Sequence, residues 1–412
     1  MLEMLRDSRT TTLIFLLVLV LLGLSLTMVY SSSAVWAAIG VNKQIAQKYE
    51  VHDQVFPSFH SPLFVRKQAV WILLGLIALF GFYSINYEAV TRHHWLILGL
   101  AVVGLLAVLA TGARINGARR WIQLGPLTLQ PSEFAKLALV IFMSKFLHDN
   151  KDRLDSFKRV FAPCAAVSGV FMLLLMLEPD FGATVVVFAI CLSIWFIAGV
   201  PFRYLSGLFA MGIPVLIVLA LTSPYRLRRL LAFFMPDADP TGSGWQLNQA
   251  LITMGSGGLF GKGLGLGMQK NCFLAESYND FIFAIVGEEL GLMGTLLTLT
   301  LFCILIGLLF WVAYRAIDYQ GALLAGGIAT MIAIPAFVHM GVAAGMLPPK
   351  GLSLPFVSYG GSAMLVNLAA IGILMNVARA VDKQTAERAR LRRMRRRREN
   401  SKTRPAPMWV RG

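Results

Sequence analysis

Long apolar runs separated by short polar connections make up most of the chain. Runs of about 17 to 25 apolar residues are long enough to cross the ~30 Å hydrocarbon core of a bilayer as helices. We therefore predict an all-α polytopic membrane protein with about ten transmembrane helices. The predicted spans lie near residues 12–31, 68–85, 94–112, 133–148, 160–177, 183–200, 203–222, 290–313, 321–346 and 357–378.

The composition leaves little sequence for a soluble domain. Of the 412 residues, 57% are hydrophobic and only 14% are charged. The first apolar run, 13–29, has no cleavage pattern of small residues, so we predict a retained span rather than a signal peptide. The four cysteines lack the paired spacing of a zinc site or a disulfide framework.

Positive charge is concentrated at the C-terminus. The net charge is +16, and residues 379–411 carry thirteen Lys and Arg against three acids. Such a block marks the cytoplasmic side of a membrane and can lie on anionic lipid. We predict a multi-span domain over 1–378 and a disordered basic cytoplasmic tail over 379–412. Since no base-reading module accompanies the tail, we expect no nucleic-acid partner.

The number of spans sets the topology. Three predicted spans separate Asp280 from the tail, so Asp280 faces the outside, and both termini are cytoplasmic. The longest polar segment, about 223–280, is then an extracytoplasmic loop before the eighth span. Its apolar spacing favours a folded segment with a short amphipathic helix.

Basic residues also occur in segments that this topology places outside, against the usual tendency. The guanidinium group of Arg is suited to forked contacts with phosphate. Ordinary contact with lipid headgroups is the alternative. The residues concerned include Arg120, Arg226, Arg228 and Arg229.

Several charged residues lie within strongly apolar sequence. An ionisable group at the centre of a membrane helix costs about 2.5 to 3.5 kcal/mol and is a candidate functional residue. Asp280, Glu288 and Glu289 are such residues, although Asp280 could simply cap a helix. Glu133 and Lys136 share one helical face, either as each other's partner or as the lining of a polar cavity.

Two irregular segments adjoin predicted spans. The sequence EPDFGAT places Glu178 and Asp180 beside Pro179 at an outer span end. The segment 347–362 is rich in Pro and Gly between two apolar spans. Irregular backbone at membrane depth requires a covering of protein or a water-filled cavity. The second segment therefore indicates the rim of a cavity.

Eight motifs cover nearly the whole chain: RRWIQLG, LQPSEFAKL, EPDFGAT, PYRLRR, DPTGSGWQLNQAL, GKGLGLGMQK, DFIFAIVGEELG and LPPKGLSLPFVSYGGS. Together and in this order they resemble the motifs of the SEDS family (shape, elongation, division and sporulation), the polytopic polymerases of bacterial peptidoglycan. Within the family, GEELG and LPPKGLSLP are more similar to the division member than to the elongation member.

The chain departs from the family pattern at three positions. Tyr278 and Asn279 stand where His and Thr are common before Asp280, and His339 stands where Asn is usual. The carboxylate is kept, but its hydrogen-bonding surroundings are expected to differ.

The resemblance implies a glycosyltransferase that polymerises lipid II, a disaccharide-pentapeptide on undecaprenyl pyrophosphate, into glycan strands. The anomeric centre inverts, so one displacement suffices, and a weakly basic pyrophosphate can leave without a general acid when cations stabilise it. Asp280 would be the general base on the acceptor 4-hydroxyl. Arg120, Arg226, Arg228 and Arg229 would hold the pyrophosphate, Glu133 and Lys136 would shape the cavity, and Lys350 and Ser358 would be rim contacts.

The family also implies cofactors and partners. A divalent cation, Mg²⁺ or Mn²⁺, is expected without an organic cofactor; its ligands are not assigned, and substrate would hold it in part. Expected partners are a single-span class B penicillin-binding transpeptidase, other division proteins and membrane lipids. The expected location is the bacterial inner membrane at the division septum.

Two other functions remain open. A lipid II flippase would also use intramembrane charge and broken helices, although no inverted repeat is visible in the sequence. A non-catalytic division scaffold would use the spans and the tail only to recruit partners.

Overall fold

Helices occupy all ten predicted spans in the computed structural model, which describes residues 9–49, 63–115, 118–125, 127–222, 224–235, 243–268 and 278–402. The helices are α1 Arg9–Tyr49, α2 Leu63–Ser84, α3 Tyr87–Arg92, α4 His94–Thr111, α5 Pro131–Asp149, α6 Ala162–Leu177, α7 Phe181–Ile197, α8 Phe202–Leu221, α9 Pro224–Phe234, α10 Ser243–Ser256, α11 Ile282–Arg315, α12 Tyr319–Ala343 and α13 Gly361–Lys402. A 3-10 turn, Lys151–Arg153, and a π turn, Phe157–Phe161, lie between α5 and α6.

Within the described residues, eight helices are long and apolar enough to cross a membrane by length and composition. The other two helices at predicted spans are α7, which is apolar but shorter, and α5, which contains Glu133 and Lys136. Most of α5 is buried against α4, α7, α12 and α13. Its polar groups are therefore enclosed by protein instead of facing lipid.

The core lies around α12 and α13. Their most apolar windows are 78% and 72% buried, whereas that of α8 is only 6% buried. Helix α2 packs closely against α13 at Gly372, where an added Cβ would lie 2.3 Å from the carbonyl oxygen of Leu79. A small residue is required there for the two backbones to approach.

A small antiparallel sheet, which the pattern of apolar runs does not predict, lies between α4 and α5. Its strands are β1 Ala113–Ile115, β2 Ala118–Leu124 and β3 Leu127–Leu129, in the order β1-β2-β3. Leu124 pairs with Leu127, and Gly125 turns the chain between them with φ of +61°. Strand β2 carries Arg120, so the sheet places one of the predicted phosphate ligands.

The tail is helical where disorder was predicted. Helix α13 continues through 379–402, and residues 403–412 lie outside the described part of the chain. Ala, Leu, Arg, Gln and Glu dominate this segment, and these residues have high helix propensity. Charge alone was therefore a poor guide to its backbone structure.

The predicted outer loop is partly folded. The expected amphipathic helix is α10, and α9 lies before it. Residues 236–242 and 269–277, including Cys272, lie outside the described part.

Helix α11 is interrupted at Gly291, whose φ of +67° is not helical. The glycine loop, residues 257–268, packs against this interruption. The amide of Leu292 donates to the carbonyl of Gly258 (2.9 Å), and the amides of Lys262 and Gly263 donate to the carbonyls of Glu288 (2.9 Å) and Glu289 (3.0 Å).

The sequence singled out Glu288 and Glu289 as charged residues within an apolar span. Both are buried at this junction. Glu288 pairs with Lys262 and accepts from the amide of Met268 (2.8 and 2.9 Å). Glu289 accepts from the Ser31 hydroxyl (2.5 Å) and the Gly265 amide (3.1 Å). These two carboxylates therefore fasten the glycine loop to α11 and α1.

Candidate active site

A cavity of about 120 Å³ collects residues from four separate parts of the chain. Strand β2 supplies Arg120, α9 supplies Arg226 and Arg229, the rim segment supplies Lys350, and the turn before α7 supplies Asp180. Four of the predicted substrate-binding cations are thus brought together around one space.

The hydrogen bonds of Arg120 and Arg226 go to neutral carbonyl groups. The guanidinium group of Arg120 donates to the carbonyls of Glu178 and Pro179, and Arg226 donates to the carbonyl of Leu219 at 2.7 Å. Among the described residues, no ion pair within 4.0 Å joins a carboxylate to either of these or to Lys350.

Phe181 supports two of the cations. Arg226 Cζ and Lys350 Nζ each lie 5.2 Å from the centre of its ring, within the range of a cation–π contact. Burial lowers the pKa of Lys350. Burial, and then the charge of Arg120, lower the pKa of Arg226. An anion entering this cavity would relieve the repulsion among the cations.

Glu178 lies behind Arg120 and is fully buried. Neither of its carboxyl oxygens has a hydrogen-bond partner in the described part of the chain. Burial, reinforced by the negative charge of Asp180 and opposed by Arg120, raises the pKa of Glu178 to about 8. Glu178 is therefore mostly neutral at pH 7 and subtracts little from the positive charge of the cavity.

We expect the Glu178→Gln substitution to flatten the dependence of stability on pH. In the native chain, the folded-state pKa of about 8 exceeds the ordinary 4.5, so the contribution of Glu178 is fully present below pH 4.5 and is lost as pH rises through 8. Gln stays neutral throughout. Thermal unfolding in detergent between pH 5 and 9 should show the native Tm falling more steeply than that of the variant; parallel curves would contradict this.

Asp280 lies at the edge of the cavity. Helix α11 begins at Ile282, and its N-cap position is occupied by Phe281, one residue after Asp280. The carboxylate of Asp280 lies beside Gly351, where an added Cβ would be 3.2 Å from Oδ2. Because Gly351 and Lys350 both line the cavity, the predicted base and the predicted phosphate ligands adjoin one another.

Ser358 holds the residues next to Asp280 instead of facing the cavity. It is buried, and its hydroxyl donates to the carbonyl of Asn279 (2.8 Å) while accepting from the amide of Leu354 (2.8 Å). It does not line the cavity. Ser358, predicted as a rim contact for substrate, therefore stabilises the backbone next to Asp280.

Three aromatic rings also pack together next to the backbone that carries Asp280. The ring of Tyr278 lies 5.2 Å from that of Phe64 and 5.7 Å from that of Tyr359, and the amide of Tyr359 donates to the carbonyl of Tyr278 (3.1 Å). Sequence reasoning identified Tyr278 only as a departure from a family pattern. An aromatic residue replacing His was the available signal for this packing.

Other predicted residues lie away from the cavity. Glu133 and Lys136 form an ion pair of 2.8 Å within α5, and neither lines the cavity. Arg228 is exposed and does not line it either. His339 is buried and its Nδ1 lies 2.8 Å from the carbonyl oxygen of Leu352, behind the rim.

The described residues contain no group of three or more His, Cys, Asp or Glu side chains able to hold a metal ion. Asp180 is the carboxylate that lines the cavity. One of its oxygens accepts from the amide of Ala183 (3.1 Å), and the other lies 3.5 Å from the side-chain amide of Gln130. Hard cations such as Mg²⁺ are often coordinated by a protein carboxylate and by substrate phosphate oxygens at the same time.

Comparison with known proteins gives consistent matches over most of the chain. Residues 11–383 match the family model of FtsW, RodA and SpoVE, described as cell cycle protein. Stage V sporulation protein E of Bacillus subtilis is 38% identical over 369 residues, which cover 89% of this chain and 96% of that protein. The probable peptidoglycan glycosyltransferase FtsW of Nitrosomonas europaea is 40% identical, with 87% and 90% covered.

Solved structures show the same fold. A chain from a structure described as the structural coordination of polymerization and crosslinking by a peptidoglycan synthase complex matches with a TM-score of 0.69 and 29% identity, covering 89% of this chain and 96% of that one. The rod shape determining protein RodA of Thermus thermophilus matches with a TM-score of 0.63 and 27% identity, covering 89% and 95%.

Proposed function

Because the chain belongs to the FtsW, RodA and SpoVE family, which is the SEDS family, we propose that it is a peptidoglycan glycosyltransferase that polymerises lipid II during cell division. Relatives named FtsW and SpoVE are 36% to 42% identical to it, whereas the RodA structures are 27% identical. These values favour the division and sporulation members over the elongation member.

The observation that carries the proposal is the carboxylate of Asp280 beside a cavity rich in cations. Asp280 lies beside Gly351, and Arg120, Arg226, Arg229 and Lys350 line the adjoining space. A displacement at a sugar phosphate needs one group to accept a proton and several to stabilise the departing negative charge. This arrangement provides both.

In the proposed step, the acceptor 4-hydroxyl attacks the anomeric carbon of the donor while its proton passes to Asp280. The bond from that carbon to the pyrophosphate oxygen breaks, and its electron pair leaves with undecaprenyl pyrophosphate. Arg120, Arg226, Arg229 and Lys350 stabilise the leaving charge, so no general acid is required. The attack from the opposite face inverts the anomeric centre.

We propose that a divalent cation, Mg²⁺ or Mn²⁺, assists by neutralising pyrophosphate charge. Asp180 can supply one carboxylate oxygen, and the phosphate oxygens of the substrate would supply others. The described residues provide too few converging ligands for a protein cage. This fits an ion that binds together with the substrate.

We propose further that the chain lies in the bacterial inner membrane at the septum, with both termini cytoplasmic. The related chain of a peptidoglycan synthase complex supports a penicillin-binding protein as the partner. The proposed partner is a single-span class B transpeptidase, which would cross-link the strands as they form, and other division proteins would join the assembly.

The test is strand synthesis from purified lipid II by the native chain in liposomes, with the transpeptidase present and with either Mg²⁺, Mn²⁺ or EDTA. We expect glycan strands with a cation and a strong loss in EDTA that added Mg²⁺ restores. Transbilayer movement of lipid II without strands would identify a flippase. Neither strands nor movement, with the transpeptidase bound, would favour a scaffold.

A further inference from the structure

Much of the hydrogen bonding of the glycine loop backbone is to α11. Besides the bonds at Leu292, Lys262 and Gly263, the amide of Met293 donates to the carbonyl of Leu259 (3.1 Å). Glu288 and Glu289 accept from the amides of Met268 and Gly265 (2.9 and 3.1 Å). Irregular backbone near hydrocarbon requires this kind of protein partner.

Glycines make this close contact possible. An added Cβ at Gly257 would lie 2.0 Å from the carbonyl oxygen of Gly287, and one at Gly261 would lie 2.2 Å from that of Glu289. Gly261 also has φ of +82°, which other residues rarely adopt. The loop is therefore fitted to the helix along its backbone, while its larger side chains point elsewhere.

Those larger side chains are apolar and exposed. Leu259, Phe260, Leu264, Leu266 and Met268 are between 55% and 78% exposed. Five large apolar residues within ten positions form an apolar surface whose exposure to water is unfavourable. The ammonium group of Lys262, in contrast, turns back to the buried Glu288 at 2.8 Å.

The apolar surface of the loop continues onto a membrane-spanning helix. Leu292, Met293, Leu296 and Leu297 follow the interruption in α11 and are 48% to 62% exposed. The hydrogen bonds of Leu292 and Met293 place the loop beside this turn. Since about 20 residues cross the hydrocarbon, counting back from Arg315 puts the turn near its outer boundary.

We propose that the glycine loop is an interfacial anchor whose apolar side chains contact the acyl chains of the outer leaflet. Backbone hydrogen bonds to α11, outward apolar side chains and continuity with the exposed apolar turn of a membrane-spanning helix together favour lipid over a water-facing or protein-facing role. The anchor would set the depth of the interruption in α11 and so position the helical segment that precedes it, Ile282 to Leu290, which is about 13 Å long.

The test is spin-label accessibility in liposomes that contain the full chain without any partner. Phe260→Cys and, independently, Leu266→Cys would be labelled with a nitroxide in a chain carrying Cys272→Ser and Cys303→Ala; Cys164 and Cys191 are buried. Collision with oxygen reports lipid, and collision with a water-soluble nickel chelate reports solvent. Leu100→Cys on α4 and Asp152→Cys in the turn after α5, both exposed, provide the lipid and water references.

We expect both loop labels to resemble the label at position 100. The ratio of oxygen accessibility to nickel-chelate accessibility at each loop label should be at least several-fold higher than the same ratio at position 152. Labels that resemble position 152 would place the loop in water and overturn the proposal. Labels protected from both reagents would show that protein, such as a second copy of the chain, covers the surface, which would overturn it as well.

Discussion

Replacing Asp280 with Asn is expected to reduce strand polymerisation by about 10²- to 10⁴-fold, the usual contribution of a general base. Asn preserves the size and polarity of the side chain beside Gly351 but cannot accept the proton of the acceptor hydroxyl. The loss should appear in kcat, because proton removal belongs to the transition state and not to substrate binding. Strand length and rate from lipid II in liposomes provide the measurement.

The control for Asp280→Asn is Asp152→Asn, the same change at an exposed carboxylate in the turn after α5. Both variants should keep the native Tm and should bind the transpeptidase. Activity of the Asp280 variant within threefold of native would remove Asp280 from the role of base. An equal loss in both variants would point to damage unrelated to the proposed chemistry.

The second large effect is expected from Arg229→Ala, with Arg228→Ala as its neighbour and control. Hydrogen bonds to charged groups contribute about 1.5 to 3 kcal/mol, so loss of Arg229 should lower kcat/KM about 10- to 100-fold. Arg228 is exposed and does not line the cavity, so its replacement should change kcat/KM by less than threefold.

Initial rates across a range of lipid II concentrations would separate these outcomes. If the two variants lose activity equally, the arginines act through the net charge of the outer surface rather than through the cavity. Raising the salt concentration distinguishes these cases further, because exposed charges are screened more strongly than those in a cavity.

Much of the fold could be predicted because the bilayer limits the choice of structure. A membrane core allows only segments whose backbone bonds are internal, so the positions of apolar runs located the ten helices. The glycine loop could not be found in this way. The glycines indicate tight turns, but the partners of the loop on α11 lie some thirty residues further along the chain, and no local pattern in the sequence points to them.

The sheet was missed for a related reason. Strands β1 to β3 span only 113–129, which is too short to stand out among apolar runs of membrane length. Their antiparallel pairing, with Leu124 opposite Leu127, depends on the turn at Gly125. The chemical character of Arg120 was visible in the sequence, whereas its orientation toward the cavity depends on this pairing.

The arginines of the predicted site show the same dependence on local structure. As long as their segment is treated as a loop, the sequence gives no reason to prefer one of Arg226, Arg228 and Arg229 as a phosphate ligand. In the structure the segment is helix α9, and residues three apart share a helical face. Arg226 and Arg229 therefore reach one cavity, and Arg228 points away from it. Recognising that helix in the sequence would have separated them.

The interruption of α11 at Gly291 has a consequence for biogenesis. The glycine loop is synthesised before the helix that supplies its hydrogen-bond partners, so its amides must remain hydrated until α11 has entered the bilayer. Docking of the loop is then a late step of assembly, after insertion of the spans. A substitution that blocks docking, such as Gly261→Val, would leave a fully inserted but incompletely assembled chain whose loop is exposed to proteolysis at the membrane surface.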